Sequence, residues 1–207
     1  MWDYSEKDIE QYFLKKKIFK IDGTKHQIIT NQFRITIPES VTPQNQLNIF
    51  NELKMLPIVE GVERVPDFLA YKVPKMQKGK KGELRICEIK NRPAILKDVS
   101  QLNQYINLIN FLIKHNISDI NKKLKITKTF RVKGFLFARA IPIDVWLATN
   151  ALHKSNDRIE LIGYEVQSNK ISKGIRRIEF LNFTKKYRAK FKYSVKKYKN
   201  IINFNME

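Results

Sequence analysis

The stretch Leu84-Arg85-Ile86-Cys87-Glu88-Ile89-Lys90 lies between a lysine- and glycine-rich segment and the breaker Arg92-Pro93, and it reads as a strand. Side chains alternate faces along a strand, so Glu88 and Lys90 project the same way, about 7 Å apart. Leu84 and Ile86 share that face, which makes it apolar and covered, while Cys87 points to the opposite side as a small buried residue. A carboxylate and an ammonium on a covered face need compensating partners. A Glu-x-Lys triplet alone carries no weight, because it is common on solvated surfaces. What surrounds it decides its meaning.

Upstream, Val65-Pro66-Asp67-Phe68 opens a strand over Phe68 to Val73. The segment Pro74 to Glu83, with Lys75, Lys78, Lys80, Lys81 and two glycines, reads as an exposed loop. If the two strands pair across it, Asp67 reaches Glu88. Downstream, Leu96 to His115 has apolar residues at Val99, Leu102, Ile106, Ile109 and Ile113, which is helical spacing. Gln101 and Tyr105 lie four apart on that helix, one above the other, and the turn through Arg92-Pro93 brings them back over the strand. As isolated residues they are ordinary polar helix positions; over the strand, they are candidates to position a substrate.

Further out, Val132 to Ala138 reads as a buried strand, Pro142 to His153 as a helix with Asp144 as a cap and Trp146 in the core, and Ile159 to Val166 as a strand. This order describes an α/β layered fold with a parallel crossover. Before the hairpin, Ser5 to Lys17 reads as a capped helix, Phe19 to Ile37 as a hairpin turning at Asp22-Gly23, and Thr42 to about Leu56 as a second helix. The last segment interleaves Lys185, Lys186, Arg188, Lys190, Lys192, Lys196, Lys197 and Lys199 with Tyr187, Phe191, Tyr193 and Tyr198. It reads as a terminal helix or a basic arm.

Composition narrows the partner. In 207 residues there are 40 Lys and Arg against 20 Asp and Glu, a net charge of +20, with 43% hydrophobic residues to fill a core. Such a balance favours a polyanion, nucleic acid before an anionic membrane surface. One cysteine allows no disulfide within the chain, and His26, His115 and His153 have no metal-ligand spacing. No apolar run approaches the ~18 residues of a membrane span. The polar start, Met1 to Ile9, does not read as a signal peptide. The expectation is an intracellular, cytoplasmic protein that does not engage a membrane.

Two carboxylates plus substrate oxygens suit Mg²⁺, which takes hard oxygen ligands and keeps several waters. Such an ion acidifies water and stabilises charge on a phosphate, and Lys90 beside it can orient the attacking water. The Ile89 carbonyl is a further candidate ligand. Asp67, Glu88-Ile89-Lys90 and Gln101-Leu102-Asn103-Gln104-Tyr105, in that order, resemble the RecB-like branch of the PD-(D/E)xK nucleases, with its Q-x-x-x-Y helix after the catalytic strand. The strand-helix-strand over 132–166 looks like the C-terminal half of NucS-type and archaeal-virus-type nuclease domains, so the resemblance spans roughly Gln44 to Val166.

The resemblance implies a restriction-endonuclease-like core: a mixed four-stranded sheet flanked by helices. It implies metal held by Asp67 and Glu88, with Mn²⁺ substituting for Mg²⁺, and hydrolysis of DNA phosphodiesters. Family members often carry another acidic residue on the preceding helix, and Glu52 and Glu60 are the candidates here. The iron–sulfur cysteines of some members are absent. The expected organisation is an N-terminal helix and hairpin over 1–42, a nuclease core over 43–166 and a basic aromatic segment over 167–207. The expected activity is a DNA endonuclease of low sequence specificity, acting on single- or double-stranded DNA, as a monomer or homo-oligomer. A compact nuclease of this kind suits a virus or mobile element. The alternative is a non-catalytic nucleic-acid-binding protein on a degenerate nuclease fold.

Overall fold

Ser5 stands before a run of helix-forming residues, and its hydroxyl accepts the Asp8 N–H at 3.2 Å while the Asp8 carboxylate accepts the Ser5 N–H at 2.9 Å. This reciprocal box starts helix α1, Glu6–Lys16, which ends as Lys17 turns left-handed at φ 56°. Strands β1 (Ile18–Ile21) and β2 (Thr24–Asn31) follow, joined by Asp22 and Gly23, both at positive φ. That two-residue turn matches the twist of a hairpin. The computed structural model describes residues 4–31, 66–72, 83–114, 131–152, 158–168, 174–187 and 189. The Thr42–Leu56 helix, the continuation of the hairpin to Ile37, the lysine-rich loop, Glu52, Glu60 and the segment from Lys190 onward lie outside them.

The remaining elements are β3 (Phe68–Lys72), β4 (Glu83–Lys90), α2 (Leu96–Lys114), β5 (Arg131–Ala138), α3 (Ile143–Leu152), β6 (Ile159–Ser168) and β7 (Ile175–Asn182). All seven strands form one sheet in chain order. β1 to β4 pair antiparallel, β4–β5 and β5–β6 pair parallel across α2 and α3, and β7 returns antiparallel to β6. The expectation of a four-stranded sheet flanked by helices is therefore corrected: the sheet is seven-stranded and curls into a nearly closed, barrel-like form. The hairpin over 18–31 extends one edge through His26↔Lys72 and Gln27↔Tyr71. β7, inside the 167–207 segment expected to lie outside the core, extends the other.

The curl has a visible cause. Phe13 of α1 sits within 5.0–5.6 Å (ring centroids) of Phe19 on β1, Phe68 on β3, Phe137 on β5 and Phe180 on β7. Rings from both ends of the sheet converge on one helix, so wrapping the strands around α1 buries Phe19 and Ile178, which a flat sheet would leave wet. The opposite face carries α2 and α3 over a second apolar cluster that includes Leu84, Ile86, Leu102, Tyr105, Ile106 and Trp146. Gly134 of β5 lets α2 approach closely, since a β-carbon there would stand 2.8 Å from the Leu102 side chain. Among the described residues no helix is long and apolar enough to cross a membrane.

The start of the basic segment belongs to this fold. Thr184 Oγ1 accepts the Leu161 N–H at 2.8 Å, and the Tyr187 hydroxyl donates to the Ile141 carbonyl at 2.9 Å. Phe183 lies over Gly163, where a side chain would collide with the ring.

Candidate active site

Pairing of β3 with β4 runs Tyr71↔Leu84 to Phe68↔Cys87. One step further along this register sets Asp67 opposite Glu88, where the lysine loop had to bring it. The ladder stops there, so the Ile89 N–H is released from strand pairing and donates to Asp67 Oδ2 at 2.5 Å. The N–H and C=O of one strand residue leave on the same side, so the Ile89 carbonyl also faces the Asp67 edge. Glu88 and Lys90 project together: Lys90 Nζ donates to Glu88 Oε1 at 2.9 Å. The Glu88 side chain is 4% exposed and that of Lys90 15%.

The charges do not balance. Glu88 Oε2 is buried and has no hydrogen-bond partner among the described residues. Burial, then the charge of Glu88, pushes the Asp67 carboxyl up to about 7, against the opposing pull of the Ile89 N–H and Lys90. Burial also raises Glu88 above the usual carboxylate range, and its bond to Lys90 does not offset this. Burial alone would lower Lys90, but the Glu88 charge and hydrogen bond hold it above its ordinary value. Two carboxylates thus share one ammonium in a site largely shielded from water.

Above them lies α2. The helix is aimed by the turn after β4: Arg92 forks onto Asp98 at 2.8 and 2.7 Å, and Asp98 Oδ2 accepts the Ile95 N–H at 2.9 Å. This brings Gln101 and Tyr105 back over the strand, where Gln101 Nε2 donates to Tyr105 Oη at 2.8 Å. Tyr105 is buried, its hydroxyl is raised by burial, and it feels the charges of Glu88, Lys90 and Asp67. The structure therefore brings together Asp67, Glu88 and Lys90, and sets the Gln101–Tyr105 pair within their electrostatic reach.

Sequence reading missed the contribution of α1. Glu6 Oε1 accepts the Asn91 N–H at 2.8 Å, directly after Lys90. The charges of Glu6 and Glu10 act on Glu88 and Asp67, respectively, as does that of Asp98 on Glu88. The i,i+4 spacing of Glu6 and Glu10 marks a helix face, but nothing in the chain says that this face docks at the end of β4. Asn91 is a hub there. Its side chain donates to the Tyr4 carbonyl and accepts Arg139 Nε at 2.7 Å, and Tyr164 Oη donates to the Lys90 carbonyl at 3.1 Å.

A hard divalent cation fits this donor set: an unbonded buried carboxylate oxygen, a second carboxyl raised by burial and then by its neighbour's charge, which a bound cation would favour in its ionised form, and a carbonyl on the same edge. Among the described residues no three or more His, Cys, Asp or Glu side chains converge, so the described carboxylates would supply two ligands at most. No protein family, characterised protein or solved structure matches this chain.

Proposed function

We propose that this chain is a Mg²⁺-dependent deoxyribonuclease, with a PD-(D/E)xK-type active site at the mouth of β3 and β4. The carrying observation is the meeting of Asp67 and Glu88 across the end of the strand pair, with Glu88 Oε2 buried and unbonded and Lys90 on the other Glu88 oxygen. Asp67 and Glu88, with the Ile89 carbonyl, would hold the ion, and Mn²⁺ would substitute for it. When bound, such an ion supplies activation of water and charge stabilisation on the scissile phosphate. Lys90 keeps a cationic hydrogen-bond donor beside Glu88, positioned to orient water and to face a phosphate oxygen. Tyr105 fixes the Gln101 carboxamide, so Gln101 positions the substrate backbone without rotating freely.

Binding of the polyanion rests on the +20 charge, and the absence of any sequence-reading motif fits low sequence specificity. We place the protein in the cytoplasm of a host, as the product of a virus or mobile element. The lack of a third converging carboxylate among the described residues favours a second reading, a nucleic-acid-binding protein without cleavage. One assay separates the two: supercoiled, linear and single-stranded DNA incubated with Mg²⁺, with Mn²⁺ and with a chelator. Cleavage that requires the metal supports the nuclease. Binding without cleavage in any arm supports the second reading. Because protons compete with the metal for Asp67, whose carboxyl lies near 7, cleavage should rise as pH climbs through about 7 and level off above it.

A further inference from the structure

The sheet curls but does not close. β1 and β7 face each other across a seam, and between them and the last turns of α1 lies a cavity of about 620 Å³. Its volume falls in the range of small-molecule sites. The walls are aromatic: Phe13, Phe19 and Phe180, with Tyr12 at the mouth. Tyr12 and Phe180 are only part-buried and offer ring surface, whereas Phe13 is packed among the other rings. The rim is basic. Lys16, Lys20 and Arg177 are exposed there, against a single acidic lining residue, Glu179, whose pairing with Arg177 at 3.6 Å is solvent-exposed. Lys16 Nζ stands 5.7 Å from the Tyr12 ring centre, so cation and π-face are presented together.

Aromatic faces flanked by cations suit an unpaired nucleotide: the base stacks and the adjoining phosphates meet the ammonium and guanidinium groups. A duplex keeps its bases inside, so it offers phosphates to such a rim but no base to the cavity. The cavity also has a geometric relation to the carboxylates. Helix α1 reaches the end of β4 through the Glu6–Asn91 bond, brings the charge of Glu10 to bear on Asp67, and lines the seam with Tyr12 and Lys16. Ten residues of helix from Glu6 to Lys16 span ~15 Å, about four stacked nucleotides at 3.4 Å each.

We propose that the β1–β7 seam binds a single-stranded segment of nucleic acid, one base entering between Tyr12 and Phe180 and its phosphates held by Lys16, Lys20 and Arg177. This rests on the nuclease reading for its substrate class, and assigns to that substrate an unpaired tail lying along α1.

The test is fluorescence anisotropy with a labelled oligothymidylate and a labelled blunt hairpin duplex, in chelator so that nothing is cut. Lys16→Glu with Lys20→Glu removes two exposed cations without touching the packed rings. It should flatten the log–log salt dependence of single-strand binding by about 1.4, at ~0.7 per phosphate contact. Tyr12→Ala should weaken single-strand binding roughly tenfold, the scale of one stacked base, and Tyr12→Phe should restore it. Duplex affinity should stay within about twofold in both Tyr12 variants, whereas the lysine variant weakens binding of both ligands through their phosphates, and circular dichroism confirms that each is folded. Unchanged single-strand affinity in Tyr12→Ala, or an equal loss for the duplex in that variant, would overturn the proposal. The wild-type cleavage assay with Mg²⁺ is read separately. A chain that cuts nothing but loses single-strand binding in these variants keeps the seam and loses the nuclease. A chain that cuts while its variants bind normally does the reverse.

Discussion

The two ends of β4 each bury a cluster of charges, on opposite faces of the same strand, and they treat those charges differently. At the start, Arg85 contacts Glu83 at 2.5 Å and Glu160 at 3.0 Å, Lys133 contacts Glu83 at 3.2 Å, and Lys72 contacts it at 3.3 Å. Several are ion contacts rather than aligned hydrogen bonds, since Arg85 Nη1 and Glu83 Oε1 lack bonds of good geometry. Cations nevertheless outnumber anions around Glu83. Burial alone would raise its carboxyl, but Arg85 and Lys133 hold it below the ordinary value. Arg85 also lies 4.4 Å over the Phe135 ring, and His26 stacks on Phe19 at 5.1 Å. At the other end two carboxylates share one lysine and both are raised. A cluster that only closes the bottom of the sheet can be charge-compensated within the chain. A cluster left short of positive charge is disposed to take a cation.

The sharpest way to break this contrast is to neutralise each end. Asp67→Ala or Glu88→Ala should cut phosphodiester cleavage by roughly a thousandfold, the scale of losing an electrostatic group at a reacting centre, while DNA affinity at low salt holds. Wild-type rates in either variant, read on supercoiled DNA, would remove the catalytic assignment. At pH 8 Glu88→Gln should also raise the melting temperature, because it relieves the repulsion between two buried carboxylates that share one lysine.

Arg85→Met should do the opposite at the other end. It takes the main partner from part-buried Glu83 and Glu160 while Lys133 and Lys72 remain on Glu83, a change that costs about 1–3 kcal/mol, measured by urea unfolding at neutral pH. Cleavage by the folded fraction should persist. A variant as stable as the parent would mean that the cluster is solvated rather than buried.

His26 tests the same cluster by pH. Burial, then the charge of Arg85, lowers its pKa from 6.5 to about 4, so the folded chain keeps it neutral where the unfolded chain takes up a proton. The unfolded state binds more protons between these values, so stability should fall as pH drops from about 6.5 towards 4. The loss approaches ~3 kcal/mol at 1.36 kcal/mol per unit. His26→Phe should flatten that part of the stability–pH curve. A slope identical to the parent's would assign the acid sensitivity to other groups.

The smallest effects belong to the helix above the carboxylates. Gln101→Ala and Tyr105→Phe each break the 2.8 Å bond between them, and each should slow cleavage roughly tenfold, about 1.4 kcal/mol in the barrier. Single-turnover rates at saturating DNA separate this from a change in binding. Full activity in both variants would confine Tyr105 to packing and leave Gln101 without a role.

Local chemistry is legible in the chain. The Ser5 cap, the Asp22-Gly23 turn, the apolar spacing of α2 and the alternation of β4 each follow from a few neighbouring residues, and the structure has each element where that spacing put it. The convergence of Asp67 on Glu88 was readable too, because a hairpin across one loop leaves few registers open. β7 was not. A bulge between Ile175 and Arg177 breaks its period of two, so Ile175, Ile178 and Phe180 reach the core without strict alternation, and the neighbouring arginines and lysines mask the strand pattern.

Tertiary structure alone decided the rest, and the reason is that long-range packing selects among locally equivalent choices. Seven strands rather than four share the sheet because rings more than a hundred residues apart, Phe19 and Phe180, meet over Phe13. That same wrapping brings the charges of Glu6 and Glu10 to bear on the carboxylates, gathers Arg85, Glu83, Glu160 and His26 at the far end of β4, and leaves the seam between β1 and β7 open. The identity of the charged residues was written in the sequence. Which of them are balanced and which are left short of positive charge was settled only by tertiary packing.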